Sequence, residues 1–250
     1  MNTFKSFFAI IVGVSALALH SAAVAGPPGA GDRVYSPEVE KGVAELEFRG
    51  ARLTGGPDGG EGVYVYEGAY GVTTWWKTGL VLETENEPNG PLKIESVELE
   101  NVFALPRIPG VPVDVGIYAE YEATTRGADS AKLRWLAAFD AGPVETKLNF
   151  NVEKTFSASD PWEFGYGFLS AVEIFDDVEL GVEGFGGLGD ARDFGGLSRR
   201  EHYIGPVALF EIERDWLPGE IDIEAGYLFG VGGAEAEGQA RLLLEWEFKL

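Results

Sequence analysis

Residues 240–250 read ARLLLEWEFKL. Ala240, Leu242, Leu244, Trp246, Phe248 and Leu250 share one parity, and Arg241, Glu245 and Glu247 the other. An amphipathic helix needs apolar spacings of three and four. A spacing of two makes a strand with one apolar and one charged face. The pattern recurs upstream: Ala44, Leu46 and Phe48 oppose Glu45, Glu47 and Arg49; Val97 and Leu99 oppose Glu98 and Glu100; Ile117 and Tyr121 oppose Glu120 and Glu122. Leu133 and Trp135 oppose Lys132 and Arg134, Leu148 and Phe150 oppose Lys147 and Asn149, and Ile221 and Ile223 oppose Asp222 and Glu224. About twelve segments of roughly 9–14 residues behave this way, the length of a tilted membrane strand. The fourth changes phase between Ile94 and Val97, which predicts a bulge or a late start.

Composition narrows the class. The 250 residues include no cysteine, which excludes a disulfide scaffold and a cysteine zinc site. A formal charge of −22 argues against nucleic-acid binding, which runs on cationic patches. With 45% hydrophobic residues the chain is not an acidic disordered tail. Lys5, the apolar run Phe7–Leu19 and Ala23-Val24-Ala25 make residues 1–25 a cleaved secretory signal. Residues 26–42, with Pro27, Pro28 and Pro37, read as a loose lead-in, and 43–250 as the barrel. No later segment has the length of a transmembrane helix, so the exported chain is either soluble or a barrel in an outer membrane.

The connections favour the membrane. Thr54–Glu61, Asn86–Pro91 and Gly187–Glu201 are long, whereas Gly71–Thr74, Asp140–Pro143 and Asp176–Asp177 are short, with Pro106–Pro112 the exception. Outer-membrane barrels have long outer loops and short periplasmic turns. The Gly187–Glu201 loop is therefore expected outside the cell. Trp75, Trp76, Trp216 and Trp246 fall at the periplasmic interface, and Tyr64, Tyr66, Trp162 and Tyr203 at the outer one. The expected fold is all-β: a single up-and-down transmembrane barrel of about twelve antiparallel strands. Its apolar rows face lipid; a soluble up-and-down barrel would invert both faces.

The lumen is then acidic. Glu45, Glu47, Glu120, Glu122, Asp222, Glu224, Glu245 and Glu247 point inward, with Arg49, Arg134, Lys147 and Arg241 as basic partners. This implies a narrow channel that prefers cations, or a small-solute transporter. Asn149, Asn151 and inward glycines leave space for one. The alternatives are a closed structural barrel and a soluble exported ligand carrier.

With these features the chain resembles the outer-membrane β-barrel proteins of Gram-negative bacteria, in a transporter- or porin-like subgroup. Leu242-x-Leu244-x-Trp246-x-Phe248-x-Leu250 looks like the C-terminal signal read by the barrel-assembly machinery, although that family usually ends in Phe. The stretch Asp32-Arg33-Val34-Tyr35-Ser36-Pro37 is similar to one in uncharacterised transporter-like barrels. The resemblance implies an outer-membrane location, with lipid, lipopolysaccharide and the assembly machinery as partners. No catalytic, cofactor or metal residue is expected. Gly184–Gly189 fits G-x-G-x-x-G, but a dinucleotide site needs a helix after it. His202 lacks the His-x-Ser motif of an outer-membrane phospholipase family and reads as a solvated rim residue, with Ser198 nearby. Asp190 and Asp193, with Asp32 or Asp58, read as solvated loop charges rather than a calcium site.

Overall fold

The computed structural model describes residues 26–214 and 216–250; the expected signal, 1–25, lies outside them. Twelve strands run in order: β1 (Val43–Thr54), β2 (Gly62–Gly71), β3 (Trp76–Asn86), β4 (Lys93–Ala104), β5 (Asp114–Thr124) and β6 (Ser130–Ala141). They continue as β7 (Val144–Thr155), β8 (Glu163–Phe175), β9 (Val178–Asp190), β10 (Glu201–Glu213), β11 (Glu220–Gly232) and β12 (Gly238–Lys249). Each pairs antiparallel with its neighbours in the chain, and β1 pairs with β12 to close the barrel. Closure satisfies the backbone groups that an open sheet edge would leave unpaired in lipid.

Side-chain parity sets the two faces. Leu46, Leu80, Trp135 and Phe229 point outward, 50%, 63%, 51% and 54% exposed, while Glu47, Glu100, Glu120 and Arg134 are buried within. An apolar outer surface around every strand is one that lipid satisfies and water does not. The phase change in the fourth strand is a bulge. Glu83 pairs with Ser96 and Thr84 with Ile94, leaving Glu95 as the extra residue. The extra residue keeps Ile94 and Val97 both on the outer face.

Two tight turns, at 142–143 and 176–177, lie on the rim where β1 begins and β12 ends. Gly142 and Asp177 take the positive φ that such turns require. The long connection after β9 is shorter than the sequence implies. Residues Gly184–Gly189 lie inside β9 and are followed by a single 3-10 turn, Leu197–Arg199, rather than an α-helix, so the glycine motif has no dinucleotide context.

Residues 26–42 are not a loose lead-in. They enter at the rim of the long connections, where Gly26 lies beside Val63 and Glu85, and thread the lumen to the opposite rim. There the Gly42 N–H donates to the Gly71 carbonyl at 2.8 Å. We call this segment the plug. An apolar seat inside the barrel holds it. Val34 packs with Leu169, Phe185, Tyr203, Val207 and Leu228, and Tyr35 with Val102, Tyr118 and Leu136. Tyr203 therefore points into the lumen, fully buried, rather than to the outer interface. Burial of these side chains offsets the entropy lost in ordering the segment. At Gly31, φ is +71° and a Cβ would lie 2.6 Å from Val63. Only glycine lets the plug turn this close to the wall.

Candidate functional site: the plugged acidic lumen

Strand register turns the expected acids into a row. Glu67 pairs with Glu47, Glu47 with Glu245, Glu245 with Asp222, and Asp222 with Glu211. Five carboxylates thus lie side by side across β2, β1, β12, β11 and β10. Below them Glu45 pairs with Glu247, and Glu247 with Glu220. On β4 and β5, Glu98 opposes Glu122 and Glu100 opposes Glu120. Like charges directly opposite each other are destabilising unless a cation intervenes.

The plug supplies one such cation. Arg33 donates through Nη1 to both Glu47 and Glu245, and through Nη2 to Glu245 Oε1 at 3.3 Å. The wall supplies others. Lys77 donates to Glu45 at 2.6 Å. Arg49 lies 3.1 Å from Glu47 and 3.5 Å from Glu67, and donates to the Tyr35 hydroxyl at 2.7 Å. Arg134 meets Asp32 at 2.5 Å, with its guanidinium 4.7 Å from the Tyr118 ring centroid and 5.0 Å from that of Tyr35. Arg241 pairs with Glu183 at 3.2 Å and donates to the carbonyls of Gly29 and Asp32. Lys147 pairs with Glu145 at 3.1 Å. Burial alone would push the Asp32 carboxyl up, but Arg134, helped by Lys132, brings it down to about 2.

All the lumen acids and bases named from the sequence face the interior, and Glu122 there accepts from Ser130 at 2.8 Å. Three of the four bases hold the plug as well as wall acids. Asn149 does not leave space: its Oδ1 accepts the Tyr35 N–H at 2.8 Å and its Nδ2 donates to the Tyr35 carbonyl at 2.9 Å. Sequence reasoning missed Arg33, Tyr35, Glu67 and Glu183. The visible signal was the Arg33-Val34-Tyr35 run in an otherwise Gly/Pro-rich segment, where charge and apolar bulk imply a buried seat.

The plug divides the lumen. A chamber of about 930 Å³ opens at the rim where β1 begins and β12 ends, lined by Glu45, Asp222, Glu224, Glu245 and Glu247 with Lys77 and Lys147. A smaller one of about 270 Å³ opens at the other rim, lined by Glu98, Glu120, Glu122 and Lys132. Tyr35 borders both.

The remaining candidates lie at the rims. Trp75 and Trp216 are exposed at the rim where β1 begins and β12 ends, and Trp76 and Trp246 lie at the same rim. The Trp246 indole donates to the Pro218 carbonyl at 2.9 Å. Trp162 is exposed at the opposite rim. His202 is not solvated. It is 7% exposed, its Nε2 donates to the Leu197 carbonyl at 2.9 Å, and its Nδ1 accepts from the Tyr166 hydroxyl at 3.1 Å. Asp190 accepts from the backbone of Arg192 and Asp193, and Asp193 pairs with Arg200 at 2.9 Å, so the loop neutralises its own charge. Asp32 lies apart from them, inside the lumen.

No protein-family model and no curated protein matches the chain. Solved structures do. The NanC porin aligns at 14% identity, covering 82% of this chain and 100% of that one, with a TM-score of 0.57. The outer membrane protein Omp33 of Acinetobacter baumannii aligns more distantly, at 10% identity over 86% and 100% of the two chains, with a TM-score of 0.44. The first likeness is one of architecture: this chain shares with that porin the fold of a closed antiparallel β-barrel.

Proposed function

We propose that the protein is a narrow, cation-preferring passage of the outer membrane whose resting form is closed by residues 26–42. The row Glu67–Glu47–Glu245–Asp222–Glu211 carries this reading. Each carboxylate attracts a monovalent cation by roughly 1 kcal/mol at 4 Å in water, and several-fold more at lower effective dielectric. Acidic rings select cations in the same way. The plug, rather than the wall, supplies Arg33 to the row, so moving the plug uncovers the charge. A second reading, a permanently closed structural barrel, draws on the same plug contacts.

Planar-bilayer recordings separate the two. The chain has no cysteine of its own, so a Val34→Cys, Gly167→Cys pair can lock the plug to β8. A Cβ at Gly167 would lie 3.5 Å from Val34 Cγ2, with a small shift of the Phe185 ring 3.1 Å away. The expected result is cation-selective conductance when the pair is reduced and none when it is oxidised. Anion selectivity, or equal conductance in both states, overturns the proposal. No conductance in either state, and none after deletion of residues 26–38, establishes the closed barrel instead.

A further inference from the structure

The geometry points to a ligand site on the barrel wall: the slot between Glu47 and Glu245 binds a monosubstituted guanidinium solute, and Arg33 fills it as a tethered stand-in. This deepens the cation-passage reading and rests on it. The slot is more than a cluster of acids, because a cation of defined shape already sits in it. Arg33 sets Nη1 and Nη2 against the two oxygens of Glu245, while Nη1 also reaches Glu47. Two parallel N–H donors on one carboxylate are a guanidinium pattern, and a single ammonium cannot reproduce it.

The wall side of the slot is built independently of the plug. Glu47 and Glu245 come from adjacent strands at one register position, so the ladder fixes their spacing. The Glu47 side chain is 1% exposed, and its Oε1 is paired with Arg49 Nε at 3.1 Å, so the wall holds this carboxylate in place without the plug. It also has an approach. The Arg33 side chain is 23% exposed, and it borders the 930 Å³ chamber where Glu45, Asp222 and Glu247 concentrate cations. A guanidinium on a short alkyl chain entering from that rim meets the row at Arg33. By taking over the Arg33 contacts it removes one attachment of the plug, which couples solute binding to plug release.

The test measures binding rather than conduction. Full-length Arg33→Ala protein in detergent micelles is titrated calorimetrically with ethylguanidinium and with propylammonium at equal ionic strength. Ethylguanidinium should bind about tenfold tighter than propylammonium, as expected for exchanging one ammonium contact for a bidentate pair. Wild type should bind it at least about tenfold more weakly, because Arg33 competes. Adding Glu245→Gln to Arg33→Ala should abolish binding. Equal affinity for the two probes, binding that survives Glu245→Gln, or no binding to folded Arg33→Ala protein overturns the site. Should Arg33→Ala not fold, a single Val34→Cys in the otherwise wild-type chain reports the same event. Its maleimide labelling should rise saturably with ethylguanidinium and not with propylammonium; a flat response overturns the proposal. Binding without conductance keeps the slot and discards the passage. Conductance without binding does the reverse.

Discussion

The plug lies between two walls that hold it by different physics. On one side β1 and β12 offer Glu47 and Glu245 to the guanidinium of Arg33. On the other, β6 and β7 offer Arg134 to the Asp32 carboxylate and Asn149 to both polar groups of the Tyr35 backbone. The first wall recognises a charge, and any cation of the right shape meets its need. The second recognises an acid through Arg134 and a peptide unit through Asn149, and a small cation imitates neither. The Arg33 contact is therefore where a cation can displace the segment, while Arg134 and Asn149, together with Arg241 of β12 on the plug carbonyls, keep it threaded.

Plug opening can be followed as modification of Val34→Cys, at a position 6% exposed when the plug is seated. The largest effect is expected from Arg33→Met, which strips the buried Glu245 of its paired cation and leaves Glu47 with Arg49 alone. Breaking a buried pair from one side costs about 3–5 kcal/mol. Labelling should accelerate by at least a hundredfold, and Glu47→Gln with Glu245→Gln should recover most of the loss. Wild-type labelling rates in Arg33→Met would remove the charge wall from the comparison.

Asn149→Leu tests the other wall. It deletes two hydrogen bonds and strands the Tyr35 N–H in the interior, a loss of about 3 kcal/mol. This effect should be insensitive to salt, whereas that of Arg33→Met should depend on it because the chamber is open to screening ions. Equal salt dependence in the two variants would erase the distinction between the walls.

Asp32 gives a smaller effect with a pH signature. Its carboxyl titrates at about 2 in the folded protein, below the ordinary 3.8, despite burial that works the other way. A depressed carboxylate value stabilises the seated plug above pH 3.8, and the contribution disappears as pH falls through about 2. The difference corresponds to about 2 kcal/mol. Labelling of wild type should rise across that acid window, and Asp32→Asn should already be faster at neutral pH and flat within the window. A wild-type profile with no acid limb would sink the Asp32–Arg134 assignment.

The smallest effect belongs to the rim. Arg107 pairs with Asp114 in an exposed position outside the plug contacts. Exposed ion pairs contribute little, so Arg107→Ala should leave both labelling and thermal stability unchanged. A marked change would mean that the Pro106–Pro112 connection helps to seat the plug.

The sequence by itself determined the barrel wall. Period-two alternation is a local property, and it sufficed for twelve strands, for the bulge near Glu95 and for the inward direction of Glu45, Glu120 and Glu245. Lipid reinforces that reading, because it rewards the same apolar row on every strand. Tertiary structure alone decided what the interior contains. Whether Glu47 stands beside Glu245 depends on the pairing of β1 with β12, whose residues lie about two hundred positions apart and meet only when the barrel closes. The course of residues 26–42 was hidden for a related reason. Gly and Pro carry no periodicity, and the groups that hold the plug, such as Asn149 with Tyr35 and Arg241 with Gly29, are scattered over strands distant in the chain. Alternation says which way a side chain points, whereas register and closure say what it meets there.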